Sequence, residues 1–149
     1  MRILSLFATL ILFVSCGRYF PPDRHLKRHV QESELVGEWN LRSSSLEILA
    51  RDGYVQKSSF KHTLAIREDG TMTFVSAYPH IDEIQHITAE GRWGLQHHDD
   101  GTSTLEISMR FGGSDHIAAF SFADEDGRIV LWQTYGDPDM WKFIEYTKK

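Results

Sequence analysis

The chain has 149 residues, with 16 Lys and Arg against 21 Asp and Glu and a formal net charge of −5. That length suits one domain with a real core and is too short for two ordinary ones. Its single cysteine, Cys16, excludes an intramolecular disulfide and a multi-cysteine metal site, and the acidic balance argues against nucleic acid as a partner.

Residues 1–15 read as a signal peptide: Arg2 supplies a minimal positive start, Ile3 to Val14 is almost wholly apolar, and Ser15 is small. A helix of about a dozen residues reaches roughly 18 Å, against the ~30 Å of a bilayer core, so a permanent span is not expected. Phe13-Val14-Ser15-Cys16-Gly17 resembles the lipobox of bacterial lipoproteins, with Phe13 where leucine is usual. The resemblance implies that Cys16 becomes the first mature residue and carries a diacylglyceryl group and an N-acyl chain such as palmitate. Several acyl chains give stable anchoring where one is marginal. Gly17 stands where an Asp would resemble an inner-membrane retention signal, which favours the outer membrane of a bacterial envelope.

Residues 16–33 then read as the lipidated cysteine and a basic, Pro-containing tether. Arg18, Arg24, Lys27 and Arg28 against Asp23 and Glu32 give a net of +2, and Arg2 adds one more, which leaves −8 on residues 34–149. A basic leader beside an anchor can lie on anionic headgroups, and it can equally be a solvated linker. His25 and His29 fall within it at helical spacing and suggest no site.

From Leu35 onward, short alternating segments separated by turn residues predict an all-β domain over residues 34–149. Leu35, Gly37, Trp39 and Leu41 fall on one face of a first strand. Phe60, His62, Leu64 and Ile66 form a second, Met72, Phe74 and Ser76 the return after the turn at Glu68 to Thr71, and Ile87 to Leu95 a fourth after a connection from Tyr78 to about Gln85. Leu105 to Phe111, His116 to Ala123, Arg128 to Tyr135 and Trp141 to Thr147 complete eight. Ser43 to Gln56 fits least well and reads as a short helix or an extra strand. Eight sequential antiparallel strands leave two exposed edges unless the sheet closes, so an up-and-down barrel is expected. Its interior is either filled by side chains or holds one small ligand.

Few residues suggest reaction chemistry. His97-His98-Asp99-Asp100 and His80, Asp82, Glu83 and His86 cluster imidazoles with carboxylates, yet neither has a metal-ligand spacing, and polar turns of this kind are ordinarily solvated; no metal and no cofactor is expected. His62 shares its face with apolar residues and reads as an interior histidine or a contact to a ligand carboxylate. There is no Gly-x-Ser-x-Gly elbow, Ser43-Ser44-Ser45 lacks an adjacent base, and Gly112-Gly113 lacks the lysine and helix of a phosphate loop, so the chain reads as a non-enzyme. Trp39, Trp93, Trp132 and Trp141 all fall in strands and suit either core packing or an apolar pocket.

Leu35-Val36-Gly37-Glu38-Trp39 resembles the Gly-x-Trp opening strand of lipocalins, and Tyr135 to Asp139 followed by Trp141 to Tyr146 resembles the tail of bacterial lipocalin-like lipoproteins. The resemblance implies structural roles for Gly37, which lets the chain pass closely at the barrel base, and Trp39, which closes the floor. Gly91-Arg92-Trp93 echoes the motif and suggests a matching floor position. The Thr-Asp-Tyr turn of that family is missing, and no arginine follows Arg128 to cover the tryptophan unless Lys142 substitutes. Two functions follow: a binder of a small hydrophobic ligand, with Trp39, His62, Phe74, Trp93 and Met109 lining the site, or a filled barrel whose exposed loops meet another envelope protein.

Overall fold

A computed structural model describes residues 24–53, 62–79, 84–135 and 142–149. The signal peptide, Cys16, the first part of the tether, the cluster His80 to Glu83 and the tail Gly136 to Trp141 lie outside these. Eight antiparallel strands follow in order and close on themselves as an up-and-down barrel: β1 (Gly37–Leu41), β2 (Thr63–Ile66), β3 (Thr71–Pro79), β4 (Ile84–His97), β5 (Ser103–Phe111), β6 (Ser114–Glu125), β7 (Arg128–Thr134) and β8 (Phe143–Lys148). The alternation read in the sequence is the physical cause, since successive side chains of a strand point to opposite faces. In β5, Ser103, Leu105, Ile107 and Met109 are buried while Ser108 and Arg110 are exposed.

Two helical pieces interrupt the strands. Leu35, expected in the first strand, ends a single turn, α1 (Glu32–Leu35), where Gln31 and Glu34 satisfy each other's backbone groups as a capping box. The segment after β1 resolves into α2 (Ser43–Arg51), with Arg51 in its last turn, where a cation suits the helix dipole. It closes a seam. β1 pairs with β8 only as far as Leu41 opposite Tyr146, and beyond that the Glu145 N–H donates to Ser45 Oγ at 2.9 Å instead. Arg42 N–H donates to the Glu145 carbonyl at 2.9 Å at the same place.

The turns β2–β3, β4–β5 and β6–β7 lie at one end with α1, here called the floor. There Gly37 has φ +138°, a conformation that glycine adopts without Cβ strain. Gly91 serves a different need: a Cβ on it would stand 2.1 Å from the Ser108 carbonyl oxygen and 2.9 Å from Met72 Sδ. β4 and β5 therefore approach more closely at Gly91 than any side chain permits.

The part of the tether that is described is not a solvated linker. Leu26 N–H donates to the Phe122 carbonyl at 2.8 Å, an acceptor on β6 just past Ser121, the last residue there with a partner on β5. Val30 N–H donates to Ser103 Oγ at 3.2 Å, and its side chain is fully buried with the core. Arg24 lies over the rings of Trp132 and Phe143, 5.7 and 4.8 Å from their centroids, and is ion-paired with Glu145. Residues 24–31 thus form a strap across the outside of β6–β8 that ends beneath the barrel.

Candidate functional site

All five residues expected to line a ligand site belong to strand faces directed into the barrel, or to the residue just before one. Trp39, Leu64, Phe74 and Ala89 are successive cross-strand partners, while Gly91 pairs with Met109 and Trp93 with Ile107. Trp39 is fully buried, and its indole N–H donates to the Leu35 carbonyl at 2.8 Å. Trp93 sits half-buried against the β2–β3 turn, where its indole N–H donates to the Arg67 carbonyl at 2.9 Å. The two tryptophans therefore each bond to the backbone segment that precedes a strand at the floor. His62 and Met109 are buried, and Phe74 is half-buried.

The middle of the lumen is occupied. Trp39, Leu64, Met72, Leu105, Ile107 and Leu131 have no accessible surface, and Phe120 and Phe122 have 1% each. A lumen holding even water-sized space would leave surface on the residues around it, so these side chains meet one another at the density of an ordinary core. Tyr146 is enclosed among them, and burial pushes its phenol pKa above the usual tyrosine range. Toward the upper end, Phe74, Phe111 and Ala118 pack against this core only in part.

The cation over Trp39 is Lys148. The register puts Trp39 opposite Lys148, whose Nζ lies 5.8 Å from the indole centroid and donates to the Glu34 carbonyl at 2.9 Å. Lys142 lies before the other end of β8 and pairs with Asp52 at 3.0 Å, which holds that carboxyl below its ordinary value. Lys148 lies one residue past the last strand expected from the sequence, which ends at Thr147, and the structure extends β8 to include it. Identifying its role requires the closure of β1 on β8.

The histidine turn meets the strap. The His29 and His97 rings stack with centroids 4.5 Å apart, His97 Nδ1 is 2.9 Å from Ser103 Oγ, and His98 Nε2 is 2.9 Å from Thr104 Oγ1. Asp100 accepts from the Thr102 hydroxyl and amide, which lowers its pKa. Among the described residues no group of three or more His, Cys, Asp or Glu is arranged to hold a metal. His86 belongs to β4, facing Ala77 in the pairing with β3.

Outside the barrel, a groove of about 510 Å³ runs along β7 and β8 toward the floor, lined by Glu34, Trp39, Arg42, Glu125, Gly127, Arg128, Ile129, Val130, Thr147 and Lys148. Val130 and Thr147 are cross-strand partners, and Val130 belongs to the outer cluster with Ala123 and Trp132. Arg42 is ion-paired with Glu125 and, at 3.0 Å, with Glu145. The bond from Arg42 holds the Glu125 carboxyl below its ordinary pKa, and Arg28 does the same for Glu34 at 2.7 Å.

No family model, curated protein or solved structure matches the chain. Its class rests on its own geometry, a closed eight-stranded antiparallel barrel.

Proposed function

We propose that the chain is an envelope lipoprotein, anchored through Cys16, whose filled barrel is a non-enzymatic module for contact with another envelope protein. One observation carries the choice over a ligand carrier: side chains from Trp39 to Phe120 fill the middle of the lumen without leaving surface. A barrel packed in this way offers a partner its outer wall and rims. Ile117 is a large apolar residue that the outer wall leaves 72% exposed.

The test is photocrosslinking in the native host, with the crosslinking side chain at position 117 or 113 of the full chain. A single discrete adduct is expected from at least one position; a ladder of unrelated adducts, or none, would count against the module. Anchoring is checked separately by incorporation of labelled palmitate, which Cys16→Ser should abolish.

A small hydrophobic ligand is the second reading, favoured by Phe74, Phe111 and Ala118, which complete the lumen's lining above the packed middle without being fully covered. Native mass spectrometry of the chain isolated from its own envelope decides it. An extra mass that leaves on denaturation is the expected sign of a ligand, and a bare mass retires this reading.

A further inference from the structure

We infer that the partner of this module is an integral protein of the membrane that holds the anchor, met by the upper outer wall of β6 around Ile117. The inference rests on the anchored-module reading above and adds to it the end of the barrel in contact and the class of partner.

The course of the strap sets which end of the barrel is turned toward the anchor. Val30 bonds to Ser103 beside the β4–β5 turn at the floor. Leu26 reaches Phe122, three residues before the end of β6, and Arg24 lies over Phe143, the first residue of β8, at the end opposite the floor. Followed toward Cys16, the chain therefore climbs the outer wall away from the floor. Arg24 stands eight positions after Cys16, so a lipid there holds the upper end of β6–β8 toward the bilayer. Charge acts in the same sense. The floor turns carry Glu68, Asp69, Asp99, Asp100 and Asp126 against Arg67, and anionic headgroups repel such an end. The cations beside it are engaged, Arg28 with Glu34, Lys148 with the Glu34 carbonyl and Lys149 with Glu38.

Ile117 stands at the end so oriented. It lies on the outer face of β6, three residues from the start of the strand at Ser114 and opposite Ser108, and it is 72% exposed. Ser108 and Ala119 beside it are small and exposed, so the isoleucine projects from a low wall. Arg110 and Asp115, a pair 3.8 Å apart, edge it on the upper side with both signs of charge. An apolar projection within a polar rim is the usual anatomy of a protein contact. A tethered domain presents this wall to a protein standing in the same bilayer at high effective concentration, and turns its floor away from it.

The test is photocrosslinking of the full chain in its native host from position 117 and, at the floor, from position 69, with the captured partner identified from its peptide masses. A discrete adduct from 117 and none from 69 is expected, and the partner should be an integral membrane protein. Cys16→Ser should lower the yield from 117 at least fivefold. With the crosslinker moved to 119, Ile117→Asp should do the same and keep the parent's circular dichroism, since the side chain is exposed. An adduct from 69 instead, a soluble partner, or a yield from 117 that Cys16→Ser or Ile117→Asp leaves within twofold would each overturn the inference and leave the module reading in place. No discrete adduct from either position would remove both.

Discussion

At the scale of single residues, the glycines show how local geometry and packing differ as causes. Gly37 is required by its backbone angle, whereas Gly91 has an ordinary strand conformation and is required by what faces it. The Ser108 carbonyl belongs to the ladder and cannot swing aside as a side chain would. Gly91→Ala should therefore force β4 and β5 apart and cost about 3 kcal/mol, at the upper end of ordinary overpacking. Urea denaturation measures this; a loss under about 0.5 kcal/mol would mean that the strands can part at no cost. Trp39 illustrates the converse, since its indole N–H has a partner only because α1 turns the Leu35 carbonyl toward it. Trp39→Phe keeps most of the apolar volume and gives up that bond, so a loss of about 1–3 kcal/mol is expected, read by the same denaturation.

At the scale of elements, the strap changes what the N-terminal region is. Leu26 and Val30, spaced among basic residues, carry no periodic signal of their own, yet they complete the side of β6 that β5 has left and close the floor. If the strap is part of the fold, Val30→Ala should cost about 2 kcal/mol, as removal of buried methyl groups does, and the Leu26 amide should exchange slowly with deuterium. A solvated linker would show neither effect. Arg24 lies over two aromatic rings on the outside of the barrel, where it covers apolar surface as well as pairing with Glu145.

At the scale of the whole molecule, closure gives every strand a neighbour on both sides, and a chain of ion pairs spans its seam. Arg42 joins the end of β1 to Glu125 of β6 and Glu145 of β8, and Arg28 joins the strap to Glu34 of α1. Glu34 and Glu125 both have carboxyl pKa values below the ordinary one in the folded state. Their contribution is therefore complete above the unfolded value, about 4.3 for glutamate, and is lost as pH falls through the lower folded values. The melting temperature should hold from pH 7 to about 5 and fall below about 4.5. Glu125→Gln should lower it at pH 7 and make the acid fall shallower; an equally steep fall in the variant would remove this pair from the cause.

The sequence by itself determined the class of fold, because a period of two repeated through eight segments with turn residues between them has one economical closed solution. It placed Trp39, Phe74, Trp93 and Met109 on inward faces for the same reason, whereas the close approach of β4 and β5 at Gly91 is seen only in the fold. The strap, the covering of Trp39 by Lys148 and the ion pair of Arg42 with Glu125 were decided only by tertiary structure. Each depends on residues far apart in the chain, Leu26 with Phe122, Trp39 with Lys148 and Arg42 with Glu125, and periodicity describes only what neighbours along one strand do. Whether the barrel is hollow was likewise beyond the sequence, since the same alternation serves a lined cavity and a packed core. The near-complete burial of Trp39, Phe120 and Phe122 decided that its middle is filled.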